Sequence, residues 1–246
     1  MAEVILRNKE EFRRLLDNYR ISEESSAKLQ KVRMAVFSGL VASGRNTIIN
    51  KLIETGLYHF LISDTTRPPK LRDGKMEQDG VNYHFVTEEQ FLDNLKNGRV
   101  IEAELIHEQQ VSGTMVSEVL YAADLNKIAL AEVEYLGANN IARANPNAVM
   151  IGLIPPSYDE WIRRFTSREE ISREEFLNRL RTAKKVLQNF LDKPFYKIII
   201  NDDLDEATHR VRVLIEEGVF VEAEQIAGRK LVEDILLRLG SELSDA

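Results

Sequence analysis

A chain of 246 residues, 43% hydrophobic and 30% charged, has an ordinary globular composition and is long enough to bury a full core. It contains no cysteine, which excludes a disulfide framework, a thiolate zinc site and a cysteine nucleophile. A net charge of −7 and a pI near 5.3 argue against nucleic-acid or anionic-membrane partners, so any bound phosphate must be held by locally placed cations.

In chain order, the first candidate is an N-terminal helix carrying Phe12, Leu15, Leu16 and Tyr19 on one face. The residues before it mix charge with Val4, Ile5 and Leu6. They lack the apolar core and cleavage site of a secretion signal, and no apolar run is long enough to span a bilayer. The cytoplasm is the expected location. Ser22 to Lys31 reads as a linker, so that residues 1–31 form an N-terminal extension.

From Val32 onward, apolar strand-like runs alternate with amphipathic helical stretches, the pattern of a parallel sheet covered by helices. The strands are Val32–Ser38, Lys127–Val133, Ala148–Ile154 and Tyr196–Ile200, each apolar enough to be buried on both faces. The helices are Arg45–Thr55, Val116–Ala123, Glu134–Arg143, Tyr158–Arg164 and Asp203–Glu216.

Two segments break the alternation. Residues 59–114 hold the run Tyr83-His84-Phe85-Val86, a helix opened by the Thr87/Gln90 capping-box pattern, and a strand Val100–Ile106, which together read as a strand-rich insertion. Residues 158–192 read as a lid, with Phe165 to Asp192 a charge-dense helical flap rather than a core element. Beyond 218, Ala223, Ile226, Ala227, Leu231, Ile235, Leu236 and Leu239 form the stripe of a C-terminal helix. Both terminal stripes are expected to pack on the domain or on each other. The alternative is a protein partner or self-association through them.

Chemistry concentrates where Val36-Phe37-Ser38-Gly39 passes into a helix through Leu40-Val41-Ala42-Ser43-Gly44-Arg45-Asn46-Thr47. Two glycines separated by four residues at a strand-to-helix junction frame a phosphate-binding loop, whose backbone N–H groups converge on an anion at a helix N-terminus. The full pattern continues with Lys and then Ser or Thr; Arg45 and Asn46 stand there instead. Alone, this frame fits a phosphate loop and a merely structural turn about equally.

The neighbouring motifs separate those readings. Ser63-Asp64-Thr65-Thr66-Arg67-Pro68-Pro69-Lys70 precedes Gly80-Val81-Asn82-Tyr83-His84-Phe85. Glu102, Ser112-Gly113-Thr114, Pro155-Pro156-Ser157, a set of arginines and Asn201-Asp202-Asp203-Leu204-Asp205 follow. In this order the set closely resembles guanylate kinase from Val32 to Gly218, leaving both terminal extensions unmatched. The resemblance implies a P-loop α/β fold: a parallel sheet with helices on both faces, a small strand-rich GMP-binding insertion and a helical lid.

It also implies roles. Arg67, Lys70 and Tyr83 fall at contacts to the GMP phosphate, Thr114 at a further hydroxyl contact, and Ser63 near the guanine carbonyl. Glu102 and Glu134 fall where carboxylates read guanine. N1–H and the exocyclic amine of guanine are two donors for a carboxylate, whereas adenine presents an acceptor at N1 and leaves polar groups unpaired. A solvated strand position is the plainer account of Glu102, and an exposed helix start that of Glu134. Gly39, Ser43, Gly44, Arg45, Asn46 and Thr47 fall around the ATP phosphates, and Asn201 falls on the adenine side. Arg164, Arg168 and Arg179 match three lid arginines that, with Arg45, would neutralise charge during transfer. Mg²⁺ is implied with ATP, with Asn46 at its hydroxyl-ligand position.

Departures cluster on the donor side. Arg45 replaces an ammonium by a planar fork, and Asn46 replaces a hydroxyl by an amide. Thr47 keeps a hydroxyl but lies about 100° further around the helix. Glu132 stands for an Asp, Lys70 for an Arg, and Ser112 or Val111 for a Tyr. Two readings remain open at this level. One is an ATP-dependent kinase converting GMP to GDP, with GMP and ATP as its ligands. The other is a catalytically inactive GMP-binding or protein-interaction module. A loop adapted to a different phosphate donor is a third.

Overall fold

A computed structural model describes residues 6–72, 74–167 and 171–244. The chain separates into two compact units. The first gathers the described residues of Met1–Met34, Tyr58–Ala129 and Asn139–Ala148, and the second those of Ala35–Leu57, Leu130–Ala138 and Val149–Ala246.

The second unit is built on strands in the order Tyr196–Ile200, Val149–Ile154, Met34–Gly39 and Ile128–Glu132. Their apolar continuity decides the arrangement, because a strand buried on both faces needs helical cover on each side. Met34–Gly39 is buried at every position. It pairs in parallel with Val149–Ile154, Phe37 opposite Ile151, and that strand pairs in parallel with Tyr196–Ile200. The sheet is the parallel one the alternating pattern predicts, and the helices Arg45–Glu54, Tyr158–Thr166 and Leu204–Glu217 start within a residue of their expected positions.

The segment expected to be a flap divides. Arg173–Asp192 forms a single 20-residue helix whose Leu180, Ala183, Val186, Leu187 and Phe190 are buried. Charge on its outer face hides an apolar stripe at three- and four-residue spacing, so this half of the segment is core. The C-terminal helix Glu222–Ser244 packs against that helix and against Tyr196–Ile200. Its buried face is Gly228, Val232, Ile235 and Leu239, while Ala223, Ile226 and Ala227 of the expected stripe are exposed. Gly228 sets the rotation: a Cβ there would lie 2.7 Å from Ile198 Cγ2. No helix among the described residues is long and apolar enough to cross a membrane.

The first unit carries a four-stranded sheet in the order His84–Phe85, Asp64–Thr65, Gln110–Met115 and Val100–Ile106. Thr87 caps the helix Glu88–Lys96 with both capping-box bonds: Gln90 N donates to Thr87 Oγ1 at 3.2 Å, and Thr87 N donates to Gln90 Oε1 at 2.8 Å. The N-terminal helix Lys9–Asp17 lies in the same core, with Phe12 fully buried among Phe91, Leu92, Leu95, Val111 and Met115. Lys9 and Arg13 of this helix both pair with Glu108. Glu108 and His107 have positive φ at the turn joining the two long strands. The stretch read as a linker contains the helix Glu23–Leu29, capped by Ser22, which accepts from Ser25 N at 3.1 Å. Short and mostly polar, it shows no apolar period, and its one fully buried side chain is Leu29.

Candidate functional site

The strand-to-helix loop of the second unit is shaped by close approach. A Cβ at Gly39 would lie 2.4 Å from the carbonyl oxygen of Leu153, and one at Gly44 would lie 2.2 Å from Asn201 Nδ2. Gly44 also has φ +96, a conformation side chains disfavour. Asn201, which the resemblance places on the adenine side, is buried, donates its amide N–H to Ser43 O at 2.8 Å and receives the Gly44 turn beneath it. Ser43 Oγ is buried without a hydrogen-bond partner among the described residues.

Arg45 begins the helix Arg45–Glu54 and turns its Nε to Glu132 Oε1, 3.4 Å away. In the orientation that satisfies both ends of its amide, Asn46 donates to Glu132 Oε1 and Oε2 at 3.1 and 2.8 Å. Thr47 is exposed beside Ala42, Gly44, Arg163, Arg164 and Asn201 in a cavity of about 370 Å³. Arg164 donates to Glu160 at 2.7 Å and to Asn201 O at 3.2 Å. The two guanidiniums of Arg163 and Arg164 hold the Glu160 carboxyl down to about 2.

A second cavity of about 350 Å³ is lined by Gly39, Arg45, Glu134, Glu175 and Arg179. Arg179 bonds Glu175 at 2.7 Å and lies 5.8 Å from the Phe165 ring, while Glu134 is exposed. Arg168 lies outside the described residues.

The remaining candidates fall in the first unit. Arg67 is buried, with its guanidinium 4.8 Å from the Tyr83 ring centre. It makes a two-pronged pair with Glu77, at 2.5 and 3.0 Å. Glu77 also accepts from Lys70 N at 2.9 Å and faces Arg72 Nε at 3.0 Å. The Arg67 hydrogen bonds chiefly hold its carboxyl down to about 2. Lys70 is exposed. Ser63 is half-buried, its carbonyl accepting from His84 N at 3.0 Å.

Glu102 accepts from Thr114 Oγ1 at 2.7 Å, across paired strands. Desolvation raises its carboxyl above the usual range, against the opposing hydrogen bonds of Thr114. Glu102 is half-buried and hydrogen-bonded, rather than fully solvated as in the plainer account. A carboxylate in this state has acceptor capacity left for donors.

Sequence reasoning passed over Glu77 and Arg72, which carry no motif of their own. It also passed over a cluster in which His59 and His84 approach opposite oxygens of Glu118 at 2.8 and 3.2 Å. Nearby Asp64 is buried and its carboxyl is pushed up to about 6, mainly by desolvation.

A guanylate kinase family model matches residues 31–218 of this chain. The chain belongs to the guanylate kinase family. A guanylate kinase of Corynebacterium efficiens is 35% identical over 185 residues, covering 74% of this chain and 94% of its own. One from Chlorobium luteolum is 34% identical over 185 residues, covering 74% and 90%. In fold, the crystal structure of guanylate kinase from Anaplasma phagocytophilum superposes with a TM-score of 0.55 at 23% identity, over 89% of this chain and 96% of that one.

Membership makes the phosphate loop the place to test the implied Mg²⁺. Its donor set does not fit. In the orientation that satisfies both ends of the amide, the group facing Glu132 from position 46 is an N–H donor bonded to both carboxylate oxygens, and the amide oxygen, the end able to ligate a cation, is turned away from that carboxylate. Arg45 takes the same carboxylate from a further side. Among the described residues, no group of three His, Cys, Asp or Glu side chains is placed to hold a metal.

Proposed function

We propose that this guanylate kinase family member transfers the γ-phosphoryl group of ATP to GMP, giving ADP and GDP. The observation that carries the reading is Glu102: desolvated and held through one oxygen by Thr114, it keeps a second oxygen that supports pairing with guanine's donors. Relatives named guanylate kinase, 35% and 34% identical to this chain, support the same substrate.

In this reading Arg67, Lys70 and Tyr83 grip the GMP phosphate, Ser63 and Thr114 flank the base, and Glu134 contributes a second carboxylate. Glu77 holds the Arg67 fork in one plane, so the positive charge is preorganised. A GMP phosphate oxygen bonds to the γ-phosphorus as the bond to the β–γ bridging oxygen breaks, and ADP leaves with that electron pair. The nucleophile needs little proton transfer; positioning and charge neutralisation supply the catalysis. Gly39, Ser43, Gly44 and Thr47 line the donor loop, braced by Asn201. Arg45, Arg164, Arg168 and Arg179 are assigned the developing charge. The cytoplasm, where both nucleotides occur, is the proposed site of action.

A coupled assay with purified protein tests this. GDP should form from GMP and not from AMP, and Arg67→Ala should abolish turnover. Glu102→Gln turns an amide N–H toward guanine's donors and should lower kcat/KM for GMP by about 100-fold. Equal use of AMP, or an unaffected Glu102→Gln protein, would overturn the assignment.

A further inference from the structure

The misfit at the metal position is not random. It is a connected set of three side chains, and each end of the set has a direction. Asn46 donates to both oxygens of Glu132, and Glu132 in turn forms an ion pair with the Nε edge of Arg45 at 3.4 Å. Contact through Nε leaves the two terminal NH₂ groups of Arg45 without a hydrogen-bond partner among the described residues. The side chain is only 15% exposed, so the fork is confined at the loop rather than free in solvent. It also lines the cavity shared with Gly39 and Arg179. The amide fixes the carboxylate, the carboxylate fixes the guanidinium, and the open end of the guanidinium is left for an anion.

We infer that the oriented Arg45 fork serves as the counter-charge to the donor phosphates in place of a loop-bound divalent cation. Nucleoside triphosphate then binds this loop with little dependence on Mg²⁺, and Glu132 and Asn46 act as positioning residues. The inference rests on the proposed ATP site.

The chemistry favours this arrangement over a vestigial one. A planar fork matches two phosphate oxygens at once, which an ammonium cannot do, and is always charged. Glu132 beside a triphosphate would repel it were the carboxylate bare. Here its charge faces a guanidinium and each of its oxygens accepts from an amide, so the cost of a carboxylate at an anion site is offset locally. Ser43 Oγ, buried and unpartnered in the same loop, adds a donor not yet committed.

The test is calorimetric titration of the full-length protein with ATP, without GMP so that no turnover intervenes, in buffer containing Mg²⁺ and in buffer containing EDTA. The ATP Kd of the wild-type protein should differ by no more than about threefold between the two. Arg45→Lys keeps the charge and loses the fork; it should weaken ATP about tenfold in EDTA, as should Glu132→Gln, which loses the orienting charge. The double variant Asn46→Ser with Glu132→Asp should acquire a preference of about tenfold for Mg²⁺ over EDTA. GMP titration of each variant checks that it remains folded. A wild-type loss of about 30-fold or more in EDTA would overturn the inference while leaving the kinase reading intact. So would tighter ATP binding by Glu132→Gln, which would mark Glu132 as a repulsive group only. Absence of ATP binding in both buffers, with GMP binding retained, would overturn the inference and the donor half of the kinase reading together.

Discussion

At the scale of single residues, the first unit holds two carboxyls driven in opposite directions, and the contrast is testable by pH. Glu77 is held down to about 2 by its Arg67 partner, while Asp64 is pushed up to about 6 by burial. A depressed carboxyl contributes stability that is full above its unfolded value near 4.5 and fades as pH falls toward 2. A raised carboxyl does the reverse: the folded state holds its proton longer, so stability falls as pH rises from about 4 to about 6 and is then level. Asp64→Asn removes that second dependence. Urea unfolding should show the variant gaining roughly 1–3 kcal/mol at pH 7 relative to its effect at pH 4, about two pKa units at 1.4 kcal/mol each less solvent relaxation. An equal effect at both pH values would show that Asp64 ionises without penalty. Glu77→Ala strands the Arg67 guanidinium in a buried position and should cost about 3–5 kcal/mol in the same measurement.

At the scale of elements, what the sequence made legible was what is locally encoded. The four buried strands show as apolar runs, the Arg45 helix as a glycine-framed start, and the Glu88 helix as a capping box. The resemblance also singled out Glu102 and Thr114, which the structure joins by a hydrogen bond across paired strands. Illegible were features decided by partners distant in sequence. Glu77 is an unremarked acid until Arg67 closes on it, and the Glu23–Leu29 helix shows no apolar period. The C-terminal helix shows how packing overrides a stripe: its rotation follows Gly228, where no side chain fits, rather than the exposed Ile226. Gly228→Ala sets two effects against each other. Helix propensity favours Ala by about 1 kcal/mol, while a Cβ 2.7 Å from Ile198 Cγ2 and 3.0 Å from Ile198 O overpacks at about 1–3 kcal/mol. The backbone oxygen cannot swing away as a side chain can, so overpacking wins. Thermal unfolding should show Tm lowered by about 2–4 °C for each kcal/mol lost.

At the scale of the whole chain, the matched family region, residues 31–218, and the folded units do not coincide. Leu6, Phe12 and Leu29 precede that region and are buried in the first unit; Val232, Ile235 and Leu239 follow it and are buried in the second. Gln225 adds polar closure. Its side chain accepts from Ile198 N at 3.1 Å and donates to Tyr196 O at 2.9 Å, satisfying the strand where no further strand is paired. Burying a large apolar side chain contributes about 1.5–3 kcal/mol, so each unit draws roughly 5–9 kcal/mol from its terminal segment, comparable with the whole stability of a typical domain. A chain cut to residues 31–218 should therefore keep every residue assigned to nucleotide binding and still fail to unfold cooperatively. Removing only the N-terminal segment should selectively abolish amide-exchange protection in Glu88–Lys96, and removing only the C-terminal helix should do so in Arg173–Asp192. If instead the shortened chain melted in one sharp transition near the full-length Tm, the terminal helices would be appendages, and the burial of Phe12 and Leu239 would have to be energetically idle.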